Sequence, residues 1–466
     1  MTNPNNPVEV GQESPGNDES GMASSQQVSL AQWRYAPDAW RWARRLDVRY
    51  VDMLFRTRSA RVLPTSARAR FVGMGIPADV VDETLGRIRR ASDWSTQWIE
   101  TAQRYLGESR RQVSASNHRE ASQARQMAAL CYHAAQIFEI FDRQTMIKCR
   151  AAAASLFTQT LPQLLPNARH LWIPWRAKSL PAYFQVPDPV DEPVGLVVVL
   201  NGTSMAKEET FSWSWRFLEQ GYAVLDMDSP GTGEATSVAG ADADQDDILD
   251  GVFALFADEP MIDLTRVAVV GTSLGANQAV RAAAHDRRIM ASVAVTPPYE
   301  PSRWLHRASP LLLSELEFMI DEDSLAEVVD RVSRFSLESA SVTGRQPMLI
   351  FGGGRDVLVP PNESQLLAAR VGERGTLVWY PEGGHCLYEI TDRWAAEAAA
   401  WIRTIDDARH MPDIGSDPLK LAEVGREMLQ SMHYEPVTES PSVGASDDFT
   451  EYARLITSDE EPPDQN

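Results

Sequence analysis

Three short stretches, far apart in the chain, hold the residue types that together make a nucleophile. "GTSLG" sets Ser273 between Gly271 and Gly275, "FGGGRDVLVP" sets Asp356 a few residues past an apolar run, and "YPEGGHCLYEI" sets His385 in a glycine-rich loop. A serine hydroxyl is a poor nucleophile near neutral pH; it needs an imidazole to take its proton and a carboxylate to fix the tautomer of that imidazole. Attack on a carbonyl then leaves negative charge on oxygen, which must meet donors already aimed at it. The backbone N–H of Leu274, next after the serine, is one candidate. The loop "NGTSM" after an earlier apolar run offers the other, assigned to Thr203. Each residue also has a plainer role open to it. Ser273 could lie in an ordinary glycine-rich connection, Asp356 could cap the helix starting near Pro361, His385 could be a loop histidine, and Thr203 could merely turn the chain into a helix. The chain order Ser, Asp, His, each just beyond a strand, favours catalysis.

A serine presented this way needs a tight strand-to-helix turn. "RVAVV" supplies the strand, "ANQAVRAAA" the helix, and two glycines let the backbones approach. The same grammar runs from residue 166 to 406. Blocks of strand length (HLWIPW, AYFQVP, GLVVVLNG, YAVLDMDSPG, RVAVVGTS, ASVAVTPP, QPMLIFGGG, GTLVWYPEGG) alternate with helical segments. Most blocks are continuously apolar rather than alternating, as expected of strands covered on both faces. The expected fold class is therefore α/β: the α/β-hydrolase fold, with a mostly parallel central sheet and helices on both faces. A helical insertion is expected at 299–345 and a helical C-terminal extension at 407–434. Ahead of the sheet, residues 28–165 carry apolar residues at helical spacing, including Trp33, Trp40, Trp42, Trp94 and Trp98, and read as an N-terminal helical cap domain. One long amphipathic run is expected from Glu120 to Leu164. Residues 1–27 and the acidic 435–466 are too poor in apolar anchors to offset their ordering entropy and are expected to be disordered tails.

Composition narrows the function. With 44 Lys and Arg against 65 Asp and Glu, the formal charge is −21, opposite to what phosphate recognition needs, so no nucleic-acid partner is expected. No apolar stretch reaches the length of a membrane span, and the N-terminus lacks the basic start and apolar centre of a signal peptide. No membrane association and a cytoplasmic location are expected. Three cysteines without a C-x-x-C indicate neither a disulfide framework nor a zinc site. There is no P-loop, no G-x-G-x-x-G after a strand and no cluster of metal ligands, so neither cofactor nor metal is expected. The expected partner is a small-molecule substrate.

These residues, with the Trp-rich helical region ahead of them, resemble the FrsA-like (DUF1100) branch of the α/β-hydrolases. Its members include 2,6-dihydroxypseudooxynicotine hydrolase and fungal heptaketide-shortening pigment hydrolases. The resemblance runs from about residue 30 to 405 and includes "KEETF" at Lys207 to Phe211, "DSPGTGE" at Asp228 to Glu234 and a helix around "ARQMAALCYHAAQIF". It implies that the N-terminal helices cover the active site and contribute to its pocket. It also implies a homodimer, as in several members. One departure stands out. A member that cleaves a carbon–carbon bond carries a glutamate in its oxyanion loop, and counting back from KEETF puts Ser204 there. A hydroxyl cannot act as a carboxylate base, so that chemistry is in doubt and Ser204 is assigned to substrate binding. Glu208 and Glu209, in a helix's first turn, are read as complementing its dipole.

The expected activity is that of a serine hydrolase. It would use an acyl-enzyme to cleave an ester, lactone or thioester, or a β-dicarbonyl carbon–carbon bond, in a small, largely apolar or aromatic metabolite; that substrate class is inferred from the cap tryptophans. Acyl transfer or cyclisation in secondary metabolism on the same machinery is one alternative. A non-catalytic binding protein that keeps the fold is another.

Overall fold

A computed structural model describes residues 49–433, apart from Pro64, Ile140, Pro189, His306, Arg307, Ser309, Glu322, Asp323, Ser339 and 341–345. The two expected tails, and the tryptophans before residue 49, lie outside the described residues.

The eight apolar blocks form eight strands: β1 (Ala168–Trp175), β2 (Lys178–Gln185), β3 (Val194–Leu200), β4 (Ala223–Met227), β5 (Ile262–Thr272), β6 (Ile289–Val295), β7 (Met348–Gly353) and β8 (Gly375–Tyr380). They make one sheet in the order β1-β2-β4-β3-β5-β6-β7-β8. The β1–β2 hairpin and the β2–β4 pair are antiparallel, and the remaining five pairs are parallel. β4, β6 and β7 are buried at every position, which is why their sequences lack the apolar–polar alternation of a half-exposed strand. From β3 the chain moves outward to β4 and returns to β5 on β3's other side. Connections therefore diverge above the carboxyl ends of β3 and β5, the crevice where open parallel sheets bind their ligands.

The N-terminal helical region packs onto β2 and the helix Lys207–Glu219. Phe71, Trp94 and Trp98 lie with ring centroids 5.2–6.2 Å apart, and Phe157 stacks on Tyr183 at 5.2 Å and meets Phe211 edge-on. The expected single run from Glu120 to Leu164 is broken. Helices His118–Ile137 and Arg143–Thr158 are separate. The Glu139 carboxylate takes the N–H groups of Phe141 and Asp142, and Asp142 caps the next helix through the N–H of Gln144. On the face of the sheet that the helix Lys207–Glu219 covers, helix Thr391–Arg409 buries Trp394, Trp401 and Ile402 against strands β3 to β7, with Trp394 4.8 Å from Trp213. The insertion after β6 forms helices Pro310–Ile320 and Leu325–Ser333. Among the described residues, no helix is long and apolar enough to cross a membrane.

Candidate active site

β5, between β3 and β6, ends at Thr272, and Leu274 already begins the helix Leu274–His285. The one residue between them, Ser273, turns the chain with φ 53° and ψ −122°. A non-glycine residue there carries about 1–3 kcal/mol of strain and persists only if its surroundings over-determine it. They do: the Ser273 N–H donates to the Val295 carbonyl at 2.8 Å, and its carbonyl accepts from Ala276 and Asn277. The flanking glycines are required by contact. A Cβ on Gly271 would stand 2.1 Å from the Gly275 carbonyl oxygen, and one on Gly275 2.3 Å from that of Leu200. Gly275→Ala is therefore expected to destabilise the protein by about 1–3 kcal/mol or more, since backbone must move to admit the methyl. A urea melt checks this; an unchanged midpoint would contradict it.

His385 and Asp356 complete a relay with the serine. His385 Nε2 lies 2.9 Å from Ser273 Oγ, and its Nδ1 lies 2.7 Å from Asp356 Oδ2. The other Asp356 oxygen accepts the N–H groups of Leu358 and Val359, both at 2.9 Å, so one carboxylate shapes its loop and orients the histidine. It does not cap the helix Asn362–Val371. The loop bearing His385 is held by residues the sequence did not single out. Thr296, itself at φ 46°, accepts the Cys386 N–H on its hydroxyl, and Cys386 and Leu387 also have positive φ. Burial alone would depress the imidazole of His385. The Asp356 carboxylate outweighs it and holds the group well above its ordinary 6.5.

Leu274, Thr203 and Ser204 line the same cavity as Ser273 and His385. The loop 201–205 presses against the Ser273 turn, since a Cβ on Gly202 would lie 3.2 Å from that of Ser273. Arg70, from helix Thr65–Gly73, fixes this loop. Its guanidinium donates to the Ser204 hydroxyl and carbonyl, both at 3.1 Å, and Gln136 adds a bond to the same carbonyl at 2.9 Å. The other edge of the guanidinium makes a bidentate pair with Glu209 at 2.8 Å, and its face lies 5.2 Å from the Tyr388 ring centroid. One side chain of the helical region thus touches the loop 201–205, the helix behind it and the loop that carries the histidine.

Glu208 and Glu209 do open the helix Lys207–Glu219, but both are buried and paired, which the dipole reading did not foresee. Glu209 binds Arg70 and lies 2.8 Å from His133 Nε2. Burial raises its carboxyl; Arg70 and His133 overcome this and hold it down at about 2. Glu208 accepts from Tyr183 Oη at 2.8 Å and pairs with Lys207, which also meets Asp228 and Glu234 at 3.1 and 2.9 Å. The stretches "KEETF" and "DSPGTGE" are therefore two halves of one buried ionic cluster at the carboxyl ends of β3 and β4. It pins the helix that follows the loop 201–205.

The cavity has an empty volume of about 680 Å³, part of it open to solvent. Its apolar wall comes largely from the insertion, through Pro301, Trp304, Leu312, Leu316 and Val332. Trp94 and Trp98, expected to enclose substrate, are buried in the helical core instead; the lining tryptophan is Trp304, which donates to Glu363 at 3.0 Å. Glu363 also accepts the N–H groups of Tyr299 and Glu300 and so anchors the start of the insertion. A second cleft, lined by Arg150, His170, Glu234 and Thr236 among others, contains no member of the Ser273–His385–Asp356 relay.

A sequence profile of the prolyl oligopeptidase family matches residues 209–406. The chain is similar to 2,6-dihydropseudooxynicotine hydrolase of Paenarthrobacter nicotinovorans, with 27% identity over 312 residues, 66% of this chain and 83% of that one. It is also similar to the hydrolyase poxO of Penicillium oxalicum, with 33% identity over 175 residues, 34% of this chain and 40% of that one. The solved structure of 2,6-dihydroxy-pseudo-oxynicotine hydrolase superposes with a TM-score of 0.64 at 24% identity, covering 72% of this chain and 94% of that one.

Proposed function

We propose that this chain, which has the α/β-hydrolase fold, cleaves an ester, lactone or thioester of a small, largely apolar or aromatic metabolite. Ser273 attacks the carbonyl while His385 takes the hydroxyl proton, and Asp356 holds the imidazole in the competent tautomer and stabilises its cation. The N–H of Leu274 and a donor from Thr203 receive the developing oxyanion. His385 returns its proton to the leaving group, and water, activated by the same imidazole, releases the acyl-enzyme. Ser204, tied to Arg70, borders the bound substrate.

The observation that supports this reading most is the unbroken relay from Asp356 Oδ2 through His385 to Ser273 Oγ, with separations of 2.7 and 2.9 Å. The apolar insertion wall supports the substrate class. Turnover of p-nitrophenyl esters beside aryl β-diketones tests it. Esters are expected to turn over faster, because Ser204 brings a hydroxyl where a carboxylate base would stand, and Ser273→Ala is expected to abolish turnover. Undiminished turnover in Ser273→Ala would overturn the reading.

A further inference from the structure

Glu315 has no place in the reaction just described. It belongs to helix Pro310–Ile320 of the insertion and lines the cavity together with Ser273, His385, Thr203 and Ser204. Of the residues lining that cavity it alone carries a carboxyl group. Among the described residues it makes no hydrogen bond or ion pair, whereas Glu208, Glu209, Asp228 and Glu234 are all tied to cations. The side chain is only partly buried, and its unpaired carboxyl borders a largely apolar pocket, where a ligand can bond to it.

The charges around it select the ligand. Arg70, Arg150 and His385 are its charged or titratable neighbours. Arg70 is spent on Glu209, but Arg150 has no carboxylate partner among the described residues: it donates to Gln136 Oε1, the Gly231 carbonyl and Thr236. A substrate cation beside Glu315 would meet those positive groups, and a substrate anion would meet Glu315 itself. A neutral hydrogen-bond donor meets neither penalty. Burial outweighs the attraction of the three neighbours and brings the carboxyl up to about 7. Both its protonated and its ionised form can then bond to a hydroxyl.

We propose that Glu315 is a specificity-determining residue that binds a neutral hydroxyl, such as a phenol, on the part of the substrate facing the insertion. This rests on the reading that the cavity beside Ser273 is the substrate site.

The test compares 4-hydroxyacetophenone with 4-methoxyacetophenone as ligands of the full chain, by titration calorimetry, in wild type, Glu315→Leu and Glu315→Gln. Wild type is expected to bind the hydroxy ketone about 10- to 100-fold more tightly. Glu315→Leu should bring the ratio close to one. Glu315→Gln, which keeps the side chain's shape, should reduce it severalfold and serves alone if the leucine variant fails to fold. The inference falls if wild type binds neither ketone, if it shows no preference, or if the preference survives in both variants. Ester hydrolysis measured on the wild-type sample keeps the two claims apart: absent hydrolysis counts against the proposed function, and an absent or unaltered preference counts against Glu315.

Discussion

Asp356→Asn is expected to lower kcat about 10⁴-fold while leaving the fold in place. The asparagine oxygen can still accept the N–H groups of Leu358 and Val359, as Asp356 Oδ1 does now. Its amide nitrogen then faces His385 Nδ1, to which Asp356 Oδ2 is 2.7 Å distant. An amide donor there favours the tautomer with the proton on Nε2, the atom that must accept from Ser273. The variant also removes the charge that holds the His385 imidazole above its ordinary value. The raised value has a consequence in the wild type. Only the neutral imidazole accepts the serine proton, so kcat/KM should fall as the pH drops through that value, with its acidic limb above pH 6.5. A variant within tenfold of wild type, or a limb at or below 6.5, would contradict this account of Asp356.

Arg70→Ala is expected to cost about 3–5 kcal/mol of stability, the typical penalty for removing one partner of a buried ion pair. Arg70 and Glu209 are 9% and 3% exposed, and without the guanidinium the Glu209 carboxylate keeps His133 as its remaining partner. Arg70→Lys should recover little, because a lysine cannot hold both Glu209 oxygens and both Ser204 oxygens with one fork. Chemical denaturation reads the effect, and a loss below 1 kcal/mol in Arg70→Ala would refute it. Since the same guanidinium sets Ser204, kcat should fall as well. The Glu209 carboxyl is held at about 2, below its usual 4.5. Its contribution is therefore complete above pH 4.5 and is lost as the pH falls from there toward 2.

The parts of the molecule legible in the sequence are those set by local pattern. A strand buried on both faces must be continuously apolar, so the blocks of β4, β6 and β7 mark strands, and a serine elbow must be flanked by glycine, so Gly271 and Gly275 mark Ser273. Asp356 and His385 could be picked out because their places follow from strand ends and chain order. Arg70, Thr296 and Glu363 could not. Each acts across the fold, as when Arg70 reaches Ser204 from 134 positions away, and no local pattern separates such a residue from a solvated one. Glu208 and Glu209 show the same limit. Their helix-start position was readable, but their burial depends on Arg70, His133 and Tyr183 arriving from elsewhere. Trp94 and Trp98 were misleading for a related reason, because helical spacing cannot distinguish a core-facing ring from a cavity-facing one.

The relay from Asp356 to Ser273 is tested most directly by its product. Incubation with a fluorophosphonate, followed by mass spectrometry of the intact chain and its peptides, should give one covalent adduct per chain, on Ser273, and none in Ser273→Ala. A wild-type chain that stays unmodified, or one modified at another serine while Ser273 remains free, would contradict the account.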